Sequence, residues 1–365
     1  MEYIHDLDEW PAFRWDEARL TAPLAELHRR QGRLYGRMEA LGFSPREHAT
    51  LQTLTSDILK SSEIEGEVLD LEQVRSSLAR RLGIDIGALK PADRNVDGVV
   101  EMMLDATQRY DKPLTAERLC GWQASLFPDG RSGLSRIVTG RWREPDGDPM
   151  QMVSGPMGRE HVHFEAPAAA RLPAEMARFL AWFNNNKPMD PIVRAALAHL
   201  WFVTVHPFED GNGRIARAVG DLALARADDS PQRFYSLSSQ IRAERADYYR
   251  QLETAQKGDL DITSWLVWFI ACLGRAIDNA DTVTGSVVAR ARFWEGHAEE
   301  SFNPRQRLML NRLFDGFDGK LTSSKWATLT KCSQDTAGRD IDDLMRRGIL
   351  LRDTAGGRST SYSLI

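Results

Sequence analysis

The sequence is poor in cysteine and has no long hydrophobic run. Its 365 residues include 3 cysteines, which are far apart and odd in number: Cys120, Cys272 and Cys332. They fit neither a disulfide framework nor a CxxC metal pattern, so we expect a reducing, cytoplasmic environment. A signal-peptide pattern and a run of about 18 apolar residues are both missing, so we expect neither export nor a membrane span.

The sequence also lacks an overall excess of basic charge. Its formal net charge is −5, so no global positive field attracts nucleic acid or a membrane surface. With 42% hydrophobic and 27% charged residues, the composition is typical of a globular protein. The length of the chain predicts two or three domains.

Apolar residues recur at helical spacing along most of the chain, which predicts a mainly α fold. Glycine and proline interrupt this pattern in residues 128–167, where short apolar segments predict a β-hairpin. Near the end of the chain, two short helices over 323–330 and 334–347, followed by two strands, predict a winged helix. The expected divisions are an N-terminal helical domain with a helix at about 45–66, a helical core, a connecting helix and the winged helix: residues 1–90, 91–280, 281–302 and 303–365.

The most informative segment is residues 206–217. A strongly apolar predicted helix ends at His206, and the proline that follows prevents its continuation, so a loop is expected. The sequence Gly211-Asn212-Gly213 then tolerates tight turns before a new helix begins. The free amide groups and the dipole of that helix form an anion site at its start.

Charged and titratable residues surround this anion site. Arg214 and Arg217 are three residues apart on the new helix, so both can reach one phosphate group. Asp210 is typical of a Mg²⁺ ligand, because Mg²⁺ in nucleotide sites uses one or two carboxylates together with phosphates. His206 has the ordinary pKa that suits removal of a proton from a hydroxyl group near neutral pH. A purely structural helix–loop–helix would not need this combination.

These residues resemble the signature of the Fic family, His-Pro-Phe-x-Asp/Glu-Gly-Asn-Gly-Arg-x-x-Arg, and match it at every defined position. The resemblance implies a helical Fic core over about residues 90–280 and transfer of AMP from ATP, with Mg²⁺, to a Ser, Thr or Tyr hydroxyl of a target protein. It also assigns the family roles to matching positions: the general base to His206, the Mg²⁺ ligand to Asp210, the anion hole to Gly211, Asn212 and Gly213, and the phosphate-binding arginines to Arg214 and Arg217.

The predicted hairpin in residues 128–167 lies where Fic proteins carry a flap that aligns the target protein by strand pairing. The resemblance assigns three residues to its nucleotide-facing strand: Gln151, Met152 and Val153. His161 and His163 on the second strand could form a metal-binding pair, but the sequence offers no further ligand. A strand with alternating faces is therefore favoured there.

Residues Tyr248, Tyr249 and Gln256 resemble the family segment that closes over adenine and ribose. A tyrosine ring can stack on a base, and Gln256 could form a hydrogen bond with the purine edge. The alternative is that both tyrosines are ordinary core residues of an amphipathic helix. This alternative and nucleotide binding are equally favoured for Tyr248, whereas nucleotide binding is favoured for Tyr249.

The segment from Ser61 to Gly66 resembles the inhibitory pattern of the family, Ser/Thr-x-x-x-Glu-Gly/Asn, at the end of a predicted helix. The resemblance implies that Glu65 pairs with Arg217 and thereby misaligns the phosphates of ATP. Ser61 would then hold the inhibitory helix in place, and Gly66 would end it. A solvated acidic helix end is the alternative.

The predicted winged helix is mildly basic. Residues 303–365 hold 11 Lys and Arg against 7 Asp and Glu, a balance that is compatible with DNA or with protein docking. Four aspartates make its second short helix poorly suited to phosphate contacts, so protein docking or homo-oligomerisation is favoured over DNA binding: Asp335, Asp340, Asp342 and Asp343.

The sequence leaves three functions to compare. The favoured hypothesis is an autoinhibited protein adenylyltransferase. The first alternative is removal of AMP from a modified protein, in which Glu65 positions water and is required for activity. The second is a nucleotide-sensing regulator that binds DNA, although such a sensor has no need for His206.

Overall fold

The structure, a computed structural model, describes residues 3–40, 43–86, 89–144, 149–154, 161–185, 187–314, 317, 319–353 and 360–365. It divides into two units: Met1–Ala40 with Arg46–Asp281, and Leu41–Pro45 with Thr282–Ile365. The division between residues 1–90 and 91–280 stays a prediction.

The helices confirm the expected mainly α fold. In chain order they are α1 (Glu17–Glu39), α2 (Phe43–Ile64), α3 (Leu71–Leu82), α4 (Arg94–Gln108), α5 (Ala116–Leu126), α6 (Leu172–Phe183), α7 (Pro191–Val205), α8 (Asn212–Asp228), α9 (Leu237–Ala243), α10 (Arg245–Gln256) and α11 (Thr263–Gly296). Side chains that accept hydrogen bonds from free amide groups begin several of them: Asp16 for α1, Asp70 for α3, Asp93 for α4, Thr115 for α5, Asp190 for α7 and Ser236 for α9.

Helix α7 is buried along nearly its whole length and packs against α8. Apolar side chains surround α7 on every side, which is typical of a helix at the centre of a domain. The two helices are in contact at Gly220, where an added β-carbon would lie at an ordinary contact distance of 3.6 Å from His199 Nδ1. The loop that joins α7 to α8 therefore connects two helices that are both buried in the core.

Two small antiparallel hairpins lie between α5 and α6. The first pairs β1 (Arg131–Ser132) with β2 (Ser135–Arg136), and the second pairs β3 (Gln151–Ser154) with β4 (His161–Glu165). The expected hairpin is thus confirmed, with a register shift between Met152 and Val153. Its connecting residues, 155–160, lie outside the described part of the chain.

Two helices differ from the sequence-based prediction. Helix α11 continues through residues 279–282, where separate helices were expected, because neither glycine nor proline interrupts the backbone there. The short helix α9 was not expected; Ser236 begins it by accepting a hydrogen bond of 3.0 Å from the amide of Ser239.

The second unit contains α12 (Pro304–Phe314), α13 (Ser323–Thr330), α14 (Gln334–Arg346) and an antiparallel hairpin of β5 (Leu350–Arg352) and β6 (Tyr362–Leu364). Met309, Trp326 and Ile341 lie at the centre of its hydrophobic core, each fully buried. Two short helices and two strands are thus present in the expected order, and the assignment of this unit as a winged helix stays a prediction. The residues between the strands, 354–359, lie outside the described ranges.

One aspartate of α14 lies inside this unit rather than on its surface. Asp340 is 6% exposed and accepts hydrogen bonds from Arg305 Nε at 2.6 Å and Asn303 Nδ2 at 2.8 Å. The expectation that Asp340 opposes phosphate contacts was therefore wrong, because its charge is paired within the fold. Across the described ranges, no helix combines the length and apolar character needed to cross a bilayer.

Candidate active site

The loop between α7 and α8 is held by the side chain of Asn212. Its Oδ1 accepts a hydrogen bond of 2.9 Å from the amide of Phe208, and its Nδ2 donates one of 2.7 Å to the carbonyl of Phe208. Phe208 is fully buried and Asn212 is 2% exposed. Asn212 thus satisfies both backbone groups of the residue that anchors the loop in the core.

His206 ends α7 in a left-handed conformation, with φ of 50°. Its Nδ1 donates a hydrogen bond of 3.2 Å to the carbonyl of Val203, so the neutral ring leaves Nε2 unprotonated. Burial, together with the nearby positive charge of Arg143, lowers the His206 pKa to about 4. His206 is therefore neutral at pH 7 and can accept a proton through Nε2.

Arg143 fixes the backbone on which His206 lies. Its Nε donates to the carbonyl of His206 at 2.9 Å, and its own amide donates to the carbonyl of Pro207 at the same distance. Arg143 is 8% exposed and also donates to the carbonyl of Pro167. No local pattern in the sequence indicated this role, because Arg143 is 63 residues away from His206 along the chain.

Asp210 lies between the first hairpin and the start of α8. One carboxylate oxygen accepts from the amide of Gly211 at 2.5 Å, and the other accepts from Ser132 Oγ of β1. Gly211 has φ of 88°, and an added β-carbon would lie 3.0 Å from the ring of Phe127. Glycine is therefore required at position 211 for both its conformation and its close packing.

Helix α2 ends in a glycine turn that directs two carboxylates toward α8. The amide of Gly66 donates to the carbonyl of Glu63 at 3.1 Å, and the amide of Glu67 donates to the carbonyl of Ser62 at 3.0 Å. This pair of bonds, with Gly66 at φ of 85°, is a Schellman motif. The turn explains the glycine of the inhibitory pattern and brings Glu65 and Glu67 to the same side.

Glu65 is in contact with the arginine that the sequence indicated. Its Oε1 lies 2.6 Å from Arg217 Nη2, and Arg217 is 3% exposed. Ser61 also binds this guanidinium, because its Oγ accepts from Nε and its carbonyl accepts from Nη2, each at 2.8 Å. Burial opposes the charge of Arg217, but the Glu65 carboxylate together with Tyr248 and Tyr249 acts in the opposite direction, and the Arg217 pKa is raised.

The carboxylate of Glu65 also lies over Gly213 in the first turn of α8. A β-carbon added to Gly213 would lie 2.1 Å from Glu65 Oε1 and 2.8 Å from Glu65 Cδ. Glu65 thus places an anion at a helix N-terminus, where the free amide groups and the helix dipole favour negative charge. Binding of a phosphate group at this position stays a prediction.

A second carboxylate pairs with the other arginine. Glu67 Oε2 lies 2.5 Å from Arg214 Nη1, and the Arg214 guanidinium lies 5.1 Å from the ring centroid of Phe127. Arg214 is 6% exposed, whereas the side chain of Glu67 is 35% exposed. Glu67 was not identified from the sequence. The signal that could have indicated it is its position directly after Gly66, because a Schellman turn at Gly66 directs the next side chain to the same side as Glu65.

The three residues expected to bind adenine have different surroundings. Tyr248 is 1% exposed and its hydroxyl lies 2.8 Å from His199 Nε2, which is a core position. Gln256 is 4% exposed and donates to Thr204 Oγ1 at 3.2 Å. Tyr249 is 40% exposed, so of the three it is the most accessible. Their role in nucleotide binding stays a prediction.

The residues expected on the nucleotide-facing strand lie on β3. Val153 is 51% exposed, Met152 is partly exposed, and Gln151 is exposed and donates to Glu165 Oε2 at 2.9 Å. The structure thus places all three on the second hairpin, and their contact with a nucleotide stays a prediction.

Two family models match this chain. Residues 113–224 match the Fic/DOC family, and residues 3–84 match a domain of unknown function (DUF4172). The first match includes the whole segment from His206 to Arg217, and the chain therefore contains a Fic domain.

Curated relatives of the chain are named protein adenylyltransferases. The chain is 28% identical over 209 residues to protein adenylyltransferase Fic of Drosophila mojavensis, which is 56% of this chain and 37% of the relative. It is 31% identical over 200 residues to protein adenylyltransferase fic-1 of Caenorhabditis briggsae, which is 54% of this chain and 36% of the relative. The chain thus spans less than half of the length of the curated relatives that it matches.

A solved structure extends the likeness to most of the chain. The crystal structure of a Fic family protein from Desulfovibrio desulfuricans G20 superposes with a TM-score of 0.50 at 21% identity. The superposition covers 94% of this chain and 96% of that chain, which shows a likeness of fold.

The surroundings of His206 predict an unusual titration. Because its pKa is lowered to about 4, the ring stays neutral at pH 7 and gains a proton only as the pH falls well below the ordinary value of about 6.5. Nitrogen-15 NMR of histidine-labelled protein, with the signal assigned by its loss in His206→Ala, should show a neutral ring protonated at Nδ1 from about pH 6 to pH 8. The urea-unfolded chain is the control, and a folded-state midpoint at or above the unfolded one would contradict this assignment.

Proposed function

We propose that this protein is a protein adenylyltransferase, which transfers AMP from ATP to a hydroxyl group of a target protein. One observation carries the proposal: a neutral histidine, a carboxylate and two buried arginines surround the N-terminus of α8. The names of the relatives that match the Fic region support the same activity.

The chemistry requires a hydroxyl oxygen to attack the α-phosphorus of ATP. A bond forms between that oxygen and the α-phosphorus, the bond from the α-phosphorus to the bridging oxygen breaks, and pyrophosphate leaves. His206 Nε2 accepts the hydroxyl proton. Arg214, Arg217 and the amide groups at the start of α8 bind the departing phosphates, and such positioning supplies most of the catalysis in phosphoryl transfer.

The surroundings of Asp210 fit a Mg²⁺ ion that accompanies ATP. Its carboxylate lies beside the anion site and contacts the hydroxyl of Ser132, so two oxygen donors are close together. Mg²⁺ prefers such oxygen ligands and retains waters and phosphates in its shell. The cation would neutralise part of the phosphate charge when bound.

The target protein is proposed to bind along the second hairpin. Within the described residues, β3 pairs with β4 and with no other strand, so the other edge of β3 has no strand partner. An extended segment of the target could add to this edge through main-chain hydrogen bonds and present its hydroxyl group toward His206.

We propose that the end of α2 inhibits this reaction by occupying the phosphate site. Glu65 holds Arg217 and covers Gly213, while Glu67 holds Arg214, so both arginines are engaged by carboxylates. A hydrogen bond to a charged group contributes about 1.5–3 kcal/mol net, which corresponds to a factor of about ten to a hundred or more in affinity. Terminal phosphates must displace these carboxylates before they can bind in a productive position.

Removal of AMP from a modified protein is the second candidate. Glu65 is close enough to His206 for its charge to oppose the lowering of the His206 pKa that burial causes. A carboxylate in this position could also orient water. This reaction requires Glu65, so Glu65→Gly would abolish removal of AMP from prelabelled protein, whereas it would increase transfer of AMP.

Loss of Glu65 is expected to activate transfer. Incubation with Mg²⁺ and α-labelled ATP should label Glu65→Gly at least about tenfold faster than wild type, because Arg217 and the site over Gly213 become available. Glu63→Gly is the matched control, since Glu63 is on the same helix end and pairs with Lys60 at 2.7 Å. Equal labelling of the two variants would contradict inhibition by Glu65. Labelling that persists in the double variant Glu65→Gly/His206→Ala would contradict the assignment of His206 as the general base.

Loss of Glu67 is expected to add a smaller activation. Glu67→Gln keeps the shape of the side chain but removes the charge that engages Arg214, so labelling of the Glu65→Gly background should rise by a further factor of about three to ten. Affinity for ATP, measured by calorimetry, should rise by a similar factor. Glu63→Gln is the control. If Glu67→Gln leaves labelling unchanged in the wild type and in the Glu65→Gly background, Glu67 has no part in inhibition, and the role of Glu65 is unaffected by that result.

A further inference from the structure

A cluster of two histidines and one glutamate lies between the second hairpin and α10. His161 and His163 are on β4, and Glu253 is on α10; one ligand atom from each lies within 4.8 Å of the others. The sequence indicated the histidine pair but no third ligand. The strand favoured at this position is present as β4, and the fold places the carboxylate of Glu253 beside the pair from a position 90 residues further along the chain.

The two histidines of β4 have adjacent side chains, because their imidazole rings lie 4.6 Å apart in an edge-to-face arrangement. The register shift of the hairpin falls at His163, so this contact comes from the observed ring positions and not from regular strand alternation. His163 Nδ1 lies 2.9 Å from Glu253 Oε2. His161 is exposed, and the other two side chains are partly exposed, so the cluster is accessible to a solvated ion.

The glutamate of this cluster is held by a lysine on its own helix. Lys257 Nζ lies 2.5 Å from Glu253 Oε1, which leaves Oε2 directed to His163. The carboxylate is therefore held in one orientation, as a metal ligand is by its supporting hydrogen bonds.

We propose that His161, His163 and Glu253 bind a Zn²⁺ ion, with a fourth position open to water. Two imidazoles and one carboxylate suit Zn²⁺, whereas Mg²⁺ and Ca²⁺ prefer sets of oxygen ligands. Zinc bonds of about 2.0–2.1 Å need ligand atoms about 3.3 Å apart, so small side-chain rotations close the site. Zn²⁺ would take the place of the proton that His163 Nδ1 donates to the Glu253 carboxylate.

Zinc at this cluster would join the second hairpin to α10. The same helix carries Tyr249, and its Arg245 donates to the carbonyl of Ile64 at the end of α2. The metal would therefore restrain the strand β4 relative to a helix that contacts the inhibitory segment. Binding of Zn²⁺ to these residues does not depend on the proposed transfer of AMP.

The test is calorimetric titration of the chelator-treated full chain with Zn²⁺. Wild type should bind one equivalent, and His161→Ala, His163→Ala and Glu253→Ala should each lower the affinity by at least about tenfold. His28→Ala is the matched control, because His28 Nε2 lies 2.8 Å from Asp190 and forms a histidine–carboxylate pair of another element. Circular dichroism of each variant verifies that it is folded.

Cobalt provides an independent readout of the same site. Co²⁺ added to the wild-type chain should give the visible absorption of tetrahedral coordination, which His161→Ala and Glu253→Ala lose and His28→Ala keeps. Failure of the wild-type chain to bind Zn²⁺, or equal binding by wild type and the folded His161→Ala and Glu253→Ala variants, would overturn the proposal.

Discussion

The ion pair between Arg217 and Glu65 is the interaction on which the rest of the site depends. A guanidinium that is 3% exposed needs an anionic partner, since an unpaired buried charge is strongly unfavourable. In this structure Glu65 and Ser61 fill that need. The proposed catalytic state requires that the terminal phosphate of ATP fill it instead. The ion pair that stabilises the resting state is therefore also the contact through which we propose that the protein is inhibited.

Opposed helix ends make this exchange of partners possible. The C-terminal end of α2 meets the N-terminal turn of α8, so the negative end of one helix dipole faces the positive end of the other. Carboxylates from α2 lie where free amide groups and two arginines converge. The burial of α7 and the bonds of Asn212 fix the intervening loop, and His206 is thereby held beside the anion site. The proposed phosphate site and its proposed inhibitor thus share one set of contacts.

The sequence indicated residues that belong to a recognisable motif and gave no signal for distant residues outside one. The resemblance to the Fic signature indicated His206 and Arg217, and the resemblance to the inhibitory pattern of the family indicated the distant partner Glu65. The helix register of α10, set by packing, directs Tyr248 and Gln256 into the core, which periodicity alone leaves open. Arg143, Ser132 and Glu253 come from other elements and carry no local pattern, so only the tertiary structure reveals them: Arg143 beside His206, Ser132 beside Asp210 and Glu253 beside His163.

Competition between Glu65 and the terminal phosphate of ATP for Arg217 would be visible in crystal structures of wild type and Glu65→Gly with a non-hydrolysable ATP analogue and Mg²⁺. We expect the terminal phosphate to bind Arg217 over Gly213 in the variant, and to lie away from Arg217 in the wild type while Glu65 stays paired. A wild-type complex in which Arg217 binds that phosphate and Glu65 together would rule out such competition.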